Sequence, residues 1–339
     1  MKKDFKVKKK KLIAFIILDF IALFSFTFVF YGPWSGFRNF WITSSMTTMN
    51  HKYLARWFYT DKAINKVLAM NSVVESGEVS DPDLIHFKKY TTSIYKNKYE
   101  KEILNHDKDD VYKLIDIKGT GYKGFLVAIY DPSRVHIATS SKLRVRGESI
   151  LEVSEREEAI VAMNAGGFYD PDWNSNGALP HGTVIKDGVV VSDYVDARMG
   201  GGFIGFDEDD KFILGNMSKE EAQAMKMRDA IEFGPYLIVN GKRSFVKGNG
   251  GWGIAPRSAI GQRKDGIVLF LVINGRLATS LGADMVDLCD IMENYGAYNA
   301  ANLDGGSSSE LVINNKIINT PVAGGKDGLR DMSTFWIVK

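Results

Sequence analysis

One cysteine, Cys289, occurs in the 339 residues, so the chain cannot close a disulfide on itself. Cys289 falls on the apolar face of an expected helix, where a thiol packs as a small hydrophobe. A thiol nucleophile would need a partner base, and no histidine lies near it in sequence. Several chemistries are excluded by missing motifs. There is no GxxxxGKS/T, so no P-loop, and no HExxH, CxxC pair or GxSxG. No segment interleaves basic and aromatic residues into a face for nucleic acid. Internal repeats and low-complexity tracts are absent too.

Net charge is also small: 43 basic residues stand against 41 acidic ones. The balance hides an asymmetry. Residues 1–11, MKKDFKVKKKK, hold seven lysines and one aspartate, and residues 12–31 hold a single charge, Asp19. The remainder, 32–339, carries 36 basic and 39 acidic residues and is slightly acidic. Leu12–Tyr31 has the roughly 20 apolar residues needed to cross a bilayer. A cleaved signal peptide is the alternative, but the apolar run ends in FTFVFYGPW, without small residues at a cleavage site. An uncleaved anchor is expected, with the lysines cytoplasmic, the C-terminal bulk outside, and Tyr31 and Trp34 at the outer interface. An acid in mid-span either is tolerated by a very apolar helix or marks a partner helix.

Residues 32–110 are expected to form a juxtamembrane stalk. Trp57, Phe58, Ile64, Val67 and Leu68 recur at helical spacing, whereas 72–110 are polar, with little periodicity, and read as a linker or a peripheral segment. From about Val111 the pattern changes. Apolar, β-branched runs are punctuated by Asp187-Gly188, Asn240-Gly241, Asp265-Gly266, Asn274-Gly275 and Asn314-Asn315. Such pairs favour the positive φ angles of two-residue hairpins. Helices are expected over Ser149–Ala159, over Ser218–Ala230 behind a capping box, and over Gly282–Tyr295, whose Met285, Leu288, Cys289, Met292 and Tyr295 share one face. Residues 111–339 therefore read as an α+β domain: a largely antiparallel or mixed sheet with a few packed helices.

Four polar, glycine-bearing segments adjoin apolar runs. NLDGGSSSE delivers Asp304 at a strand end. Gly305 and Gly306 permit close backbone approach, their amides could form an anion-binding nest, and Ser307, Ser308 and Ser309 add hydroxyls. Taken alone, it reads sooner as a solvated turn. NAGGFYDPDWNSNG combines Asn164, Gly166 and Gly167 with Phe168, Tyr169 and Trp173 and with Asp170, Asp172, Asn174 and Asn176, a mixture suited to sugars. It reads equally as an aromatic-anchored loop. Arg257, in PRSAIG, offers a guanidinium for phosphate or a surface charge at a strand start. His181 offers an acid, a base or a structural hydrogen bond.

Taken in order, MNAGGFY, the G-T-V…DG hairpin, FGPYLIVNG, PRSAIGQRKDG, VINGR, GADMVDLCDIMENYGAYNAANLDGGSSSE and INTP…R…STFWIVK resemble the phosphodiester glycosidase family, over Ile117 to Lys339. The resemblance implies a membrane-anchored, bacterial-type hydrolase that frees a sugar from a sugar-1-phosphodiester and leaves a phosphomonoester on the acceptor. It implies Asp304 and Glu310 as catalytic carboxylates. It implies Asn164, Gly166, Arg257, Gly305, Gly306, Ser307, Ser308 and Arg330 as substrate and phosphate contacts, with His181 and Tyr169 nearby. Many members carry a third glycine where this chain has Ser307, so either Ser307 or Ser308 faces the phosphate. No cofactor is required, although Asp170, Asp172 and Asp304 leave a divalent cation open. The expected partners are a sugar-phosphate or polysaccharide and the membrane. The competing expectation is a module that binds surface polysaccharide without turnover.

Overall fold

A computed structural model describes residues 2–48, 51–87, 94–169, 175–194, 201–324 and 328–339. The chain divides into two compact units, Met1–Asn71 and Ser72–Lys339. In the first, the helix Lys2–Tyr31 contains one stretch, Lys10–Tyr31, long and apolar enough to cross a membrane. Three shorter helices follow, Ser35–Met46, Lys52–Arg56 and Asp61–Ala69. They bury Ile42, Ala55, Tyr59, Ile64 and Val67 together. The Tyr59 hydroxyl donates to the carbonyl of Phe30 at 2.8 Å, so this unit is a packed helical cluster.

The second unit is α+β and antiparallel throughout its three main sheets. One sheet has seven strands, in the order Lys242–Arg243, Tyr236–Val239, Ala297–Asn302, Arg257–Arg263, Val268–Asn274, Tyr122–Ile129 and Tyr112–Gly119. A five-stranded sheet runs Val189–Tyr194, Gly182–Lys186, Met227–Phe233, Gly202–Asp207 and Phe212–Gly215. The third runs Lys316–Ile317, Leu311–Ile313, Val161–Asn164, Thr334–Val338 and Val135–Thr139. Alternation along each strand explains how they pack. In the run VLFLVI, Val268, Phe270 and Val272 join a core shared by all three sheets, with Val161, Ile204, Phe206 and Trp336. Leu269, Leu271 and Ile273 point the other way, into a second core. There the helix Met285–Asn294 lays Leu288, Cys289 and Met292. Cys289 is thus a buried hydrophobe, and burial pushes its thiol up to about 11.

Four of the five turn signals join paired strands. Asn274-Gly275 does not. A Cβ on Gly275 would lie 2.4 Å from the Pro256 nitrogen, so the chain passes close under the start of the neighbouring strand and continues irregularly toward the helix. The helix at Ser218 is shorter than expected. It covers Lys219–Ala224, and Met227–Phe233 is a strand instead, because Met227, Ala230, Ile231 and Phe233 fill cores on both faces of a sheet. The described residues of 72–110 form a peripheral segment anchored to the sheets. Ser72–Val74 pairs with Phe245–Lys247. The backbone of Ser80 donates to Leu214 at 2.8 Å and that of His86 to Lys264 at 2.8 Å. The helix Lys98–Leu104 buries Ile103 and Leu104. These anchors are single residues spread along a polar stretch, too sparse to give a period.

Candidate active site

Three strand ends meet at one place. Arg257–Arg263 and Ala297–Asn302 are neighbours in register, Ala259 opposite Asn302, so PRSAIG and NLDGG fold side by side. Val161–Asn164 ends at the same point from another sheet. Asn164, wholly buried, joins them. Its Nδ2 donates to the Asp304 carbonyl at 2.7 Å. Its Oδ1 accepts from Ser258 Oγ at 2.7 Å and from the Glu310 amide at 3.2 Å. The carboxamide oxygen and one N–H are spent on protein, so Asn164 cross-links the site and keeps one further N–H.

The Asp304–Ser309 turn lies against Pro256 and Arg257. The Gly306 amide donates to the Pro256 carbonyl at 2.8 Å, and the Gly305 amide to Asp304 Oδ1 at 3.0 Å. Both expected nest donors are therefore engaged, and the amides do not converge on an open anion site. The glycines serve closeness instead. A Cβ on Gly305 would lie 3.0 Å from the Pro256 carbonyl and 3.4 Å from Arg257 Nη1. Gly306, at φ +64°, would place one 3.2 Å from Arg276 Nη2.

Guanidinium groups supply the positive charge. Arg257 is buried and held from behind, Nε on the Ala283 carbonyl at 3.3 Å and Nη2 on the carbonyls of Trp252 and Gly253. Burial, then repulsion by Arg276, pulls its pKa down to about 10, against the pull of Asp284 and Asp304, and it stays charged at neutral pH. Arg330 sits 4.5 Å over the Phe168 ring and donates from Nη1 to Ser307 Oγ at 3.1 Å. Arg276, at φ +57°, forms no ion pair among the described residues, and burial and Arg330 lower its pKa. Three cations thus border one turn, a charge pattern that an anion would relieve.

Two carboxyls complete the site. Asp304 is half-buried, and burial raises its pKa. Ser308, Arg330, the Gly305 amide and Arg257 all oppose that rise. Glu310 is fully buried and pushed up to about 8, burial again being the main cause. Its Oε1 accepts from the Arg330 amide at 2.8 Å, while Oε2 has no partner among the described residues. The Ser309 hydroxyl is likewise buried without a partner among the described residues. Orphaned buried polar atoms beside excess positive charge mark a ligand site.

Residues 157–339, more than half of the chain, match the family described as phosphodiester glycosidase. This chain belongs to that family. It is 31% identical over 197 residues to an uncharacterized SPbeta prophage-derived protein, YomE, of Bacillus subtilis (strain 168). That match covers 56% of this chain and 29% of the relative, so the two share well under half of the relative's length. A solved structure, the zebrafish N-acetylglucosamine-1-phosphodiester alpha-N-acetylglucosaminidase catalytic domain auto-inhibited by its pro-peptide, superposes with a TM-score of 0.56 at 20% identity. It covers 69% of this chain and 85% of that one, and the two share a fold.

Within this phosphodiester glycosidase domain the two serines have different partners: Ser307 meets Arg330, and Ser308 lies against Asp304. Gly166 donates to Thr334 Oγ1 at 3.2 Å and packs on Ile231. His181 donates its amide to Gly167, and its ring stands edge-on to Tyr169 at 6.4 Å; Tyr169 in turn meets Tyr194 at 5.6 Å. Asp170, Asp172, Trp173 and Asn174 lie outside the described residues, and Asn176 donates to the Val145 carbonyl. Sequence reasoning missed Arg276. It lies in VINGR, just past the Asn274-Gly275 turn signal, and positive φ at a bulky residue is the signal in the backbone. Elsewhere, His136, Asp187 and Asp229 bring ligand atoms within 4.8 Å of one another. Arg228 contacts Asp229 and lies 3.2 Å from His136 Nδ1, so a guanidinium already supplies the cation there.

Proposed function

We propose that this protein is a membrane-anchored extracellular hydrolase that cleaves a sugar-1-phosphodiester in a surface glycan. The reading rests on family membership and on one observation: two carboxyls with different settings held beside three guanidinium groups around a single turn. Arg257, Arg276 and Arg330 hold the phosphate and offset the charge that grows on it as the C1–O bond breaks. Asp304, at the strand end beside Arg257 and Arg330, acts at the anomeric carbon. Glu310, protonated near neutral pH, provides the proton. Two carboxyls at one glycosidic bond divide these roles. The helix Lys10–Tyr31 supports the anchor, and the lysines before it support a cytoplasmic N-terminus with the C-terminal unit outside.

The test is release of free sugar and phosphomonoester from a synthetic sugar-1-phosphodiester by the purified full chain. Asp304→Asn should reduce the rate by at least about a hundredfold, the scale of a positioned acid or base. An unchanged rate in that variant would sink the assignment. Binding of sugar-phosphate by the wild type without turnover would favour a binding module.

A further inference from the structure

The segment that begins the second unit reaches the site through a short relay. Glu75 follows the strand Ser72–Val74, and its Oε1 accepts from the Tyr236 amide at 2.7 Å. Its Oε2 stands 3.5 Å from Asn216 Nδ2. Tyr236 is 2% exposed, so its amide has no water to fall back on. The carboxylate also lies against the turn just before it: a Cβ on Gly234 would sit 3.6 Å from Oε1. Asn302 holds the other side of that turn, with Nδ2 on the Gly234 carbonyl at 2.9 Å and its amide on the Pro235 carbonyl at 3.0 Å. Tyr236 pairs with Ala301 in the sheet. Two residues beyond Asn302 is Asp304, whose own amide is bonded to Ala165 at 3.1 Å.

We propose that Glu75 is a positioning residue: through the Gly234–Tyr236 turn and Asn302 it sets where Asp304 stands. This rests on the reading of Asp304 as the group that acts at the sugar. A backbone N–H buried by Tyr236 needs an acceptor, and on one edge the two-residue strand Lys242–Arg243 pairs only with Ile238 and Val239 and stops short of Tyr236. Glu75 fills the gap from a distant part of the chain. Removing it orphans the amide and loosens the turn, and Asn302, bonded to the turn on one side and paired with Ala259 on the other, passes the change toward Asp304. A displacement of about 1 Å at a reacting group can cost about a hundredfold in rate.

The test uses the full chain in detergent, with Glu75→Ala, Glu75→Gln and, as control, Glu78→Ala. Glu78 lies in the same segment but makes only an exposed pair with Lys242 at 2.7 Å. Two readouts are taken: steady-state turnover of a sugar-1-phosphodiester, and hydrogen exchange of peptides covering 300–310 and 135–139. Glu75→Ala should lower kcat by about tenfold or more with KM little changed, and should speed exchange in 300–310 alone. Glu75→Gln, which keeps an acceptor oxygen, should behave as wild type, and so should Glu78→Ala. Wild-type exchange in the alanine variant, equal losses in the Gln and Ala variants, or faster exchange in 135–139 as well would each overturn the proposal. A wild-type chain without turnover refutes the reading of Asp304 instead, and the exchange readout then still decides the relay.

Discussion

Replacing Glu310 by glutamine should make the protein more stable and less active, and the stability gain should depend on pH. Glu310 is fully buried, and its pKa is raised from 4.5 to about 8. Because the folded state holds the proton more tightly, the associated stability is whole below pH 4.5 and is lost as pH rises toward about 8. A gap of about 3.5 pH steps at about 1.4 kcal/mol each gives a loss of about 5 kcal/mol once the group is forced to ionise. Glutamine cannot ionise, and its oxygen can still accept from the Arg330 amide. Denaturant unfolding should therefore place the variant close to wild type at pH 5, about 3 kcal/mol above it at pH 7 and about 5 kcal/mol above it at pH 9. Turnover should fall by about a hundredfold or more at and below neutral pH if Glu310 donates the proton, and the deficit should narrow above about pH 8. The wild-type kcat/KM should decline above about pH 8, where that proton is gone. A stability difference that stays flat from pH 5 to 9 would refute the buried, protonated carboxyl. Full activity in the variant would refute its role in proton transfer.

Arg276→Gln should raise KM by about tenfold, the scale of one charged hydrogen bond to phosphate. It should leave the thermal midpoint unchanged or higher, because Arg276 has no ion pair among the described residues and repels Arg330; a lowered midpoint with unchanged KM would count against it. Asn164→Ala strands the Ser258 hydroxyl, the Glu310 amide and the Asp304 carbonyl, and should cost about 3 kcal/mol in urea unfolding as well as activity; a loss under about 1 kcal/mol would contradict the cross-link. The full chain should stay with membranes through alkaline carbonate extraction, and its release by carbonate would exclude a spanning anchor.

Much of the hairpin framework was legible because turn chemistry is local. Asp187-Gly188, Asn240-Gly241 and Asn314-Asn315 need nothing from the rest of the chain to adopt positive φ. Asn274-Gly275 looked the same and failed because its conformation is set by Pro256, eighteen residues earlier and adjacent only in the fold. Met227–Phe233 was hidden for a related reason: with both faces buried, the strand has no polar alternation to distinguish it from the end of a helix. In the site, the residue types around Asp304 pointed to an anion, but the donors were misassigned. Whether Gly306 offers its amide to a ligand or to Pro256 depends on a strand that sequence spacing does not place. The Glu75 contact is of the same kind, spanning 161 residues.

The third sheet also bears on how the domain is made. Thr334–Val338 is an interior strand there, with Val338 opposite both Val135 and Val161. Two strands that leave the ribosome early therefore wait for a partner some two hundred residues later. Until it arrives they present unpaired edges, and Asn164 has no Glu310 to hold. Topology of this kind folds slowly and late, and the half-made chain is open to misassociation. Residues 334–338 therefore decide when this sheet can assemble, and removing them would cost far more than their number suggests.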